Sequence, residues 1–126
     1  MKNNLFLTLC FVVLSAVLCY GKSLIVFDKI EYDFGKIRKE AVVKHTFNFK
    51  NEGSSTLIIE RIKVGCGCTG TLLSEKEVPA GGSGKIDVEL HANPYSGEMV
   101  KTIYVYTNDP KNNMITITLK AAVIDE

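Results

Sequence analysis

Tryptophan is absent, histidine occurs twice, and neither sign of charge prevails: 15 lysines and arginines stand against 14 aspartates and glutamates, a net charge of +1. Each shortage excludes something. An antibody-type core packs a tryptophan against a disulfide between two sheets, its cysteines separated by a full strand layout. This chain has neither the tryptophan nor such a pair. A near-neutral domain lacks a long-range field for gathering phosphates, so nucleic acid is not expected as a partner. No His-x-x-x-His and no Cys-x-x-Cys occurs, so the four ligands of a tetrahedral zinc site are not in view. The glycine-rich turn Pro79–Gly84 lacks the Gly-Lys-Ser/Thr ending and the following helix of a phosphate loop. Ser54, Ser55 and Ser83 lie in turns, which serine occupies for backbone reasons. No Ser-His-Asp set can be assembled by role. The expectation is a protein without catalytic activity and without a cofactor.

What is present begins with MKNNLFLTLCFVVLSAVLCYGKS. Lys2 gives a positive start, Leu5 to Leu18 is almost unbroken apolar sequence, and Cys19, Gly21 and Ser23 are small residues beyond it. That is the layout of a secretory signal peptide, with an apolar run shorter than the roughly 20 residues that span a bilayer. Cleavage after Gly21 is expected, dividing the chain into a signal peptide (1–21) and one domain (22–126). The product would be periplasmic or secreted, with no membrane span. A retained anchor is one alternative. Lipidation at Cys19 is another, disfavoured because the bulky Leu18 stands directly before it. Removing residues 1–21 takes away Lys2, Cys10 and Cys19, leaves basic and acidic side chains equal, and leaves Cys66 and Cys68 as the sole cysteines. About a hundred residues suffice for one self-sufficient core.

The mature sequence alternates with a period of two. Val43, His45, Phe47 and Phe49 interleave with Lys44, Thr46, Asn48 and Lys50. Ile86/Val88/Leu90, Ile103/Val105/Thr107 and Ile115/Ile117/Leu119 behave alike. Thr56–Val64 is rich in β-branched residues, and its parity changes near Glu60-Arg61, which predicts a β-bulge. Leu24–Phe27 and Tyr32–Phe34 are short strand candidates. Turn chemistry separates these runs at Asn51–Ser55, Pro79–Gly84, Asn93–Gly97 and Asn108–Asn113. Glu75, Lys76 and Glu77 read as a solvated edge. No window carries a helical stripe. The pattern predicts an all-β chain, an immunoglobulin-like antiparallel β-sandwich of about seven strands, with Phe47 and its parity partners inside.

One stretch, VGCGCTGT (Val64–Thr71), carries distinctive chemistry. In an extended strand Cys66 and Cys68 would point to one face with Cα atoms about 6.6–6.8 Å apart, the outer limit for a disulfide. A bond between them needs a bent backbone, which Gly67 would permit by accepting positive φ. Three readings follow. In the first the cysteines are structural. In the second they cycle between thiol and disulfide, although Lys63 is the nearest cation in sequence to lower a thiol pKa. As thiolates, Cys66 and Cys68 can hold Cu(I). His45, His91, Met99 and Met114 are the other soft-metal candidates. His45 shares a face with Val43, Phe47 and Phe49 and is expected in the core, whereas His91 is expected in solvent.

The segments FGKI (Phe34–Ile37), VKHTFNFKNEG (Val43–Gly53), LIIERIKVGCGCT (Leu57–Thr69), VPAGGSGKIDV (Val78–Val88) and YTNDP (Tyr106–Pro110) together resemble one family. It comprises bacterial exported immunoglobulin-like domains of unknown function (domain of unknown function family 1573), akin to hydin, abnormal-spindle and major sperm protein modules. The likeness runs from about Phe27 to Val123, with Cys66-Gly67-Cys68-Thr69 as its most specific element. It implies an exported β-sandwich and no reaction. Related modules bind or scaffold proteins, so the resemblance implies a protein or envelope component as partner, by analogy of fold.

Overall fold

Side-chain parity decides which face each strand buries, and the described residues form nine strands. They are β1 (Ile25–Phe27), β2 (Glu31–Arg38), β3 (Val42–Asn51), β4 (Leu57–Val64), β5 (Thr69–Leu73), β6 (Glu77–Val78), β7 (Ser83–His91), β8 (Gly97–Thr107) and β9 (Met114–Ile124). The computed structural model describes residues 21–125; Cys19 and the rest of the segment expected to be a signal peptide, up to Tyr20, lie outside them. Among the described residues no helix is long and apolar enough to cross a membrane.

Two sheets face each other, in the orders β1-β3-β7-β5 and β2-β9-β8-β4-β6. This is the immunoglobulin-like β-sandwich that the alternation predicts. The pairings are antiparallel except that β2 runs parallel to β9. A parallel pair cannot be closed by a hairpin and needs a long connection; here nearly the whole chain supplies it. Seven of the strands coincide with the alternating runs. The other two, β5 and β6, are short. On β5 the outward positions are Gly70 and Leu72, the latter 69% exposed, so no apolar–polar alternation marks the strand.

The central core is built by parity. Phe47, Leu57, Ile86, Ile103 and Ile117 are fully buried, while Asn48, next to Phe47, is exposed. In β4 the register slips between Ile59 and Arg61, so Glu60 forms the expected bulge and both Ile59 and Ile62 turn inward. Gly84 lies opposite Phe49, and a Cβ there would come within 2.4 Å of the phenyl ring. The absent side chain lets Phe49 lie across β7.

One end of the sandwich is held by polar side chains. Asn51, completely buried, accepts the N–H groups of Leu24 (3.2 Å) and Gly53 (3.0 Å) and donates to the carbonyls of Ser55 (2.8 Å) and Val78 (3.0 Å). Asn108 accepts from the Ser23 hydroxyl and the Ile58 N–H, both at 2.9 Å, and donates to the Thr56 carbonyl at 3.0 Å. Asp109, 1% exposed, accepts the N–H groups of Ile25 (3.0 Å) and Lys111 (2.9 Å) and the Asn112 amide (3.2 Å). Burial alone would raise its carboxyl, but these donors outweigh it and hold the pKa below the usual value. The NEG motif thus ties β6 to the end of β3, and YTNDP ties β1 and β4 to the β8–β9 connection.

Candidate functional site

The opposite end of the sandwich carries the cysteines. A second apolar cluster closes it, containing Ile37, Cys68, Leu90, Met99 and Val123, with Cys66 and Tyr95 packed on its rim. β4 ends at Val64 and the chain turns, the Thr69 N–H meeting the Cys66 carbonyl at 3.3 Å. The turn draws the two cysteine Cα atoms to 5.2 Å, and a disulfide joins Cys66 to Cys68. The bend does not come from Gly67 as expected. The glycines with positive φ are Gly35, Gly81 and Gly97, and Gly67 keeps an ordinary φ. β5 then returns along β7, with the His91 N–H donating to the Cys68 carbonyl at 2.8 Å.

The two sulfurs differ in surroundings. Cys68 is 8% exposed and touches the Thr69 hydroxyl at 3.7 Å. Cys66 is half-buried, and its Sγ accepts from the Cys68 N–H at 3.1 Å. Tyr95 Oη lies 3.2 Å from the same sulfur and, since a disulfide sulfur carries no proton, must be the donor. The Lys101 ammonium sits over the Tyr95 ring, 4.4 Å from its centre. Beside Cys66 a cleft of about 200 Å³ opens between Gly65, Val100, Lys101 and Thr102.

Sequence reasoning named Lys63 as the nearest cation and missed Tyr95 and Lys101. Tyr95 follows Cys66 by 29 residues and lies in a turn, where only the alignment of the sandwich end brings it to sulfur. Lys101 stands opposite Leu119 on the inward face of β8, between Met99 and Ile103, where parity calls for an apolar side chain. That breach of parity was the available signal.

The remaining candidates disperse. Met99 shares the cluster of Cys68, whereas Met114 is exposed at the far end of β9. The His45 ring is half-buried, stacked on Tyr32 at 3.7 Å with its edge toward Phe47, and burial lowers its pKa. The His91 imidazole is exposed and reaches Glu89 at 3.2 Å. Among the described residues no group of three or more His, Cys, Asp or Glu side chains could hold a metal ion. Cu(I) ligation by Cys66 and Cys68 would require the reduced pair.

The sequence profile of the family described as protein of unknown function (DUF1573) matches residues 25–123. The chain belongs to that family. No curated protein matches it significantly. Among solved structures it is similar to a protein of unknown function from Porphyromonas gingivalis W83, at 17% identity and a TM-score of 0.72 over 79% of this chain and 46% of that one. It thus spans less than half the length of that protein. An ASH/PapD-like domain of human CEP192 superposes with a TM-score of 0.66 at 8% identity, over 83% of this chain and 88% of the domain. The Escherichia coli chaperone DraB does so with 0.52 at 9% identity, over 82% and 55%. At these identities the likeness is one of fold.

Proposed function

We propose that this member of the DUF1573 family is an exported, non-enzymatic module that binds another protein of the bacterial envelope. The observation that carries the reading is the outer face of the larger sheet. Arg61, Tyr106 and Met114 form one cross-strand row there, and Lys63, Tyr104 and Thr116 the next. The Arg61 guanidinium stacks over Tyr106 at 4.2 Å, and Val100 and Met114 are exposed by 59% and 47%. Tyrosine, arginine and methionine are the side chains enriched at protein interfaces. A chaperone and a PapD-like domain with the same fold are consistent with such use. Lys2 and the apolar run that follows support export, with the mature chain beginning near Lys22 in the periplasm or outside the cell.

The test is affinity capture from the native envelope with the tagged full chain. A partner that binds the wild type and is lost with Tyr104→Ala/Tyr106→Ala, but kept with Asn48→Ala on the other sheet, supports the reading. Indifference to the tyrosines defeats this choice of face, and enzymatic turnover that depends on Cys66 or Cys68 defeats the non-enzymatic reading. Intact mass of the exported product checks the start: fatty acylation at Cys19 would replace secretion by tethering.

A further inference from the structure

The sulfur end has features that the binding face does not use and the fold does not need. A cross-link spanning three residues restrains little of the unfolded chain, so the Cys66–Cys68 bond is a poor staple. Gly65 and Gly67 are exposed, neither has positive φ, and a Cβ on either would meet nothing within 4 Å. Neither turn geometry nor packing within this chain asks for glycine there. What two bare positions beside a sulfur provide is room for another chain to approach. Two donors, the Cys68 N–H and the Tyr95 O–H, converge on the more accessible sulfur, Cys66. A disulfide sulfur is a weak acceptor and gains little from them. A thiolate gains much, because hydrogen bonds to the charged form favour it.

We propose that Cys66 and Cys68 form a thiol–disulfide exchange site acting on disulfides of another protein or peptide, with Cys66 as the attacking sulfur and Cys68 as the resolving one. In the reduced pair, the Cys66 thiolate attacks one sulfur of the partner disulfide. The Cys66–partner bond forms, the partner S–S bond breaks, and the departing partner thiolate takes a proton from water. Cys68 then gives its proton to solvent and attacks Cys66 Sγ. The intramolecular disulfide forms and the second partner sulfur leaves as a thiolate, protonated by water. The partner disulfide is reduced to two thiols while the pair is oxidised by the same two electrons. The disulfide seen here is the product, so each reduced chain reduces one partner disulfide, a stoichiometric exchange and not a turnover. Tyr95 holds the charge on Cys66, and Lys101, over the Tyr95 ring, is a positioning residue for the phenol.

The experiment uses the full chain, reduced with dithiothreitol and labelled with limiting iodoacetamide across a pH series. Trypsin releases Val64–Lys76 with both cysteines, and fragment-ion mass spectrometry assigns the label, so Cys10 and Cys19 do not interfere. At pH 7, Cys66 should be labelled about tenfold faster than Cys68, with a midpoint below the free-thiol value of about 8.5. Tyr95→Phe should move that midpoint up toward the free value, which a purely structural role would not do. Lys101→Met should move it the same way, by less. With oxidised glutathione as probe, Cys68→Ser should trap one glutathione on Cys66, and Cys66→Ser should trap several-fold less on Cys68. Equal labelling of the two cysteines, a midpoint at the free-thiol value, or a disulfide that dithiothreitol reduces only after urea unfolding would each overturn the proposal. The wild-type labelling stands even if a variant fails to fold.

Discussion

Where Asn51, Asn108 and Asp109 sit, side chains and backbone satisfy one another within the chain; at the other end of the same sandwich, Cys66 collects two donors that a disulfide sulfur hardly requires. Among the described residues no buried side-chain nitrogen or oxygen lacks a partner, so the first end is closed in hydrogen-bonding terms. Closure of that kind is what stability needs, since a buried polar group left alone costs its desolvation. The sulfur end has exposed glycines, a small cleft and a lysine on the inward face of its strand. Departures from local consistency of that sort concentrate where a protein acts rather than where it is held together. The difference separates two kinds of motif in one chain: NEG and YTNDP secure the fold, and Cys-Gly-Cys-Thr holds the proposed exchange site.

That contrast can be broken by mutation. Asn51→Ala should be the most damaging change, about 2–4 kcal/mol in urea melts, because it orphans two N–H groups and two carbonyls at once. A loss below 1 kcal/mol would mean that water replaces the amide and that this end is not closed. Asp109→Asn should cost about 1–2 kcal/mol at pH 7, since charge-assisted bonds become neutral ones. The sign with pH is fixed. The folded carboxyl lies below its ordinary value of 3.8, so its contribution is present above that value and fades as pH falls through the folded pKa. Acid melts below about pH 4 should therefore show a smaller gap between wild type and Asp109→Asn. A gap independent of pH would contradict the geometry. Replacing both Cys66 and Cys68 by serine should matter least, no more than about 1.6 kcal/mol from the three-residue ring. A larger loss would make the pair a staple after all and erase the distinction between the ends.

Much of the fold was legible because period-two parity is a strong signal. Phe47, Ile86 and Ile103 lie inside as their runs demand, and the phase change at Glu60 appears as a bulge. The parallel docking of β2 was not legible, since its partner lies more than 80 residues away and nothing local marks it. β6 is two residues long, too short to show a period. Of the candidate site, the pair Cys66/Cys68 was legible from spacing. Gly67 was assigned a conformational duty that it does not perform, because a β-turn can bend a chain at negative φ. Tyr95 was hidden because turn residues carry no parity, and its meeting with sulfur is a product of the whole topology.

The parallel strand has a consequence for the order in which the molecule can be assembled. β9 is the last of the described strands, and it lies between β2 and β8 in the larger sheet. A chain that leaves a ribosome or a membrane pore from its amino end delivers β2 early and leaves it unpaired until residues 114–124 follow. The smaller sheet, by contrast, is complete once β7 has emerged at His91. Emergence of the chain and closure of the larger sheet are therefore successive events, and β9 is the latch.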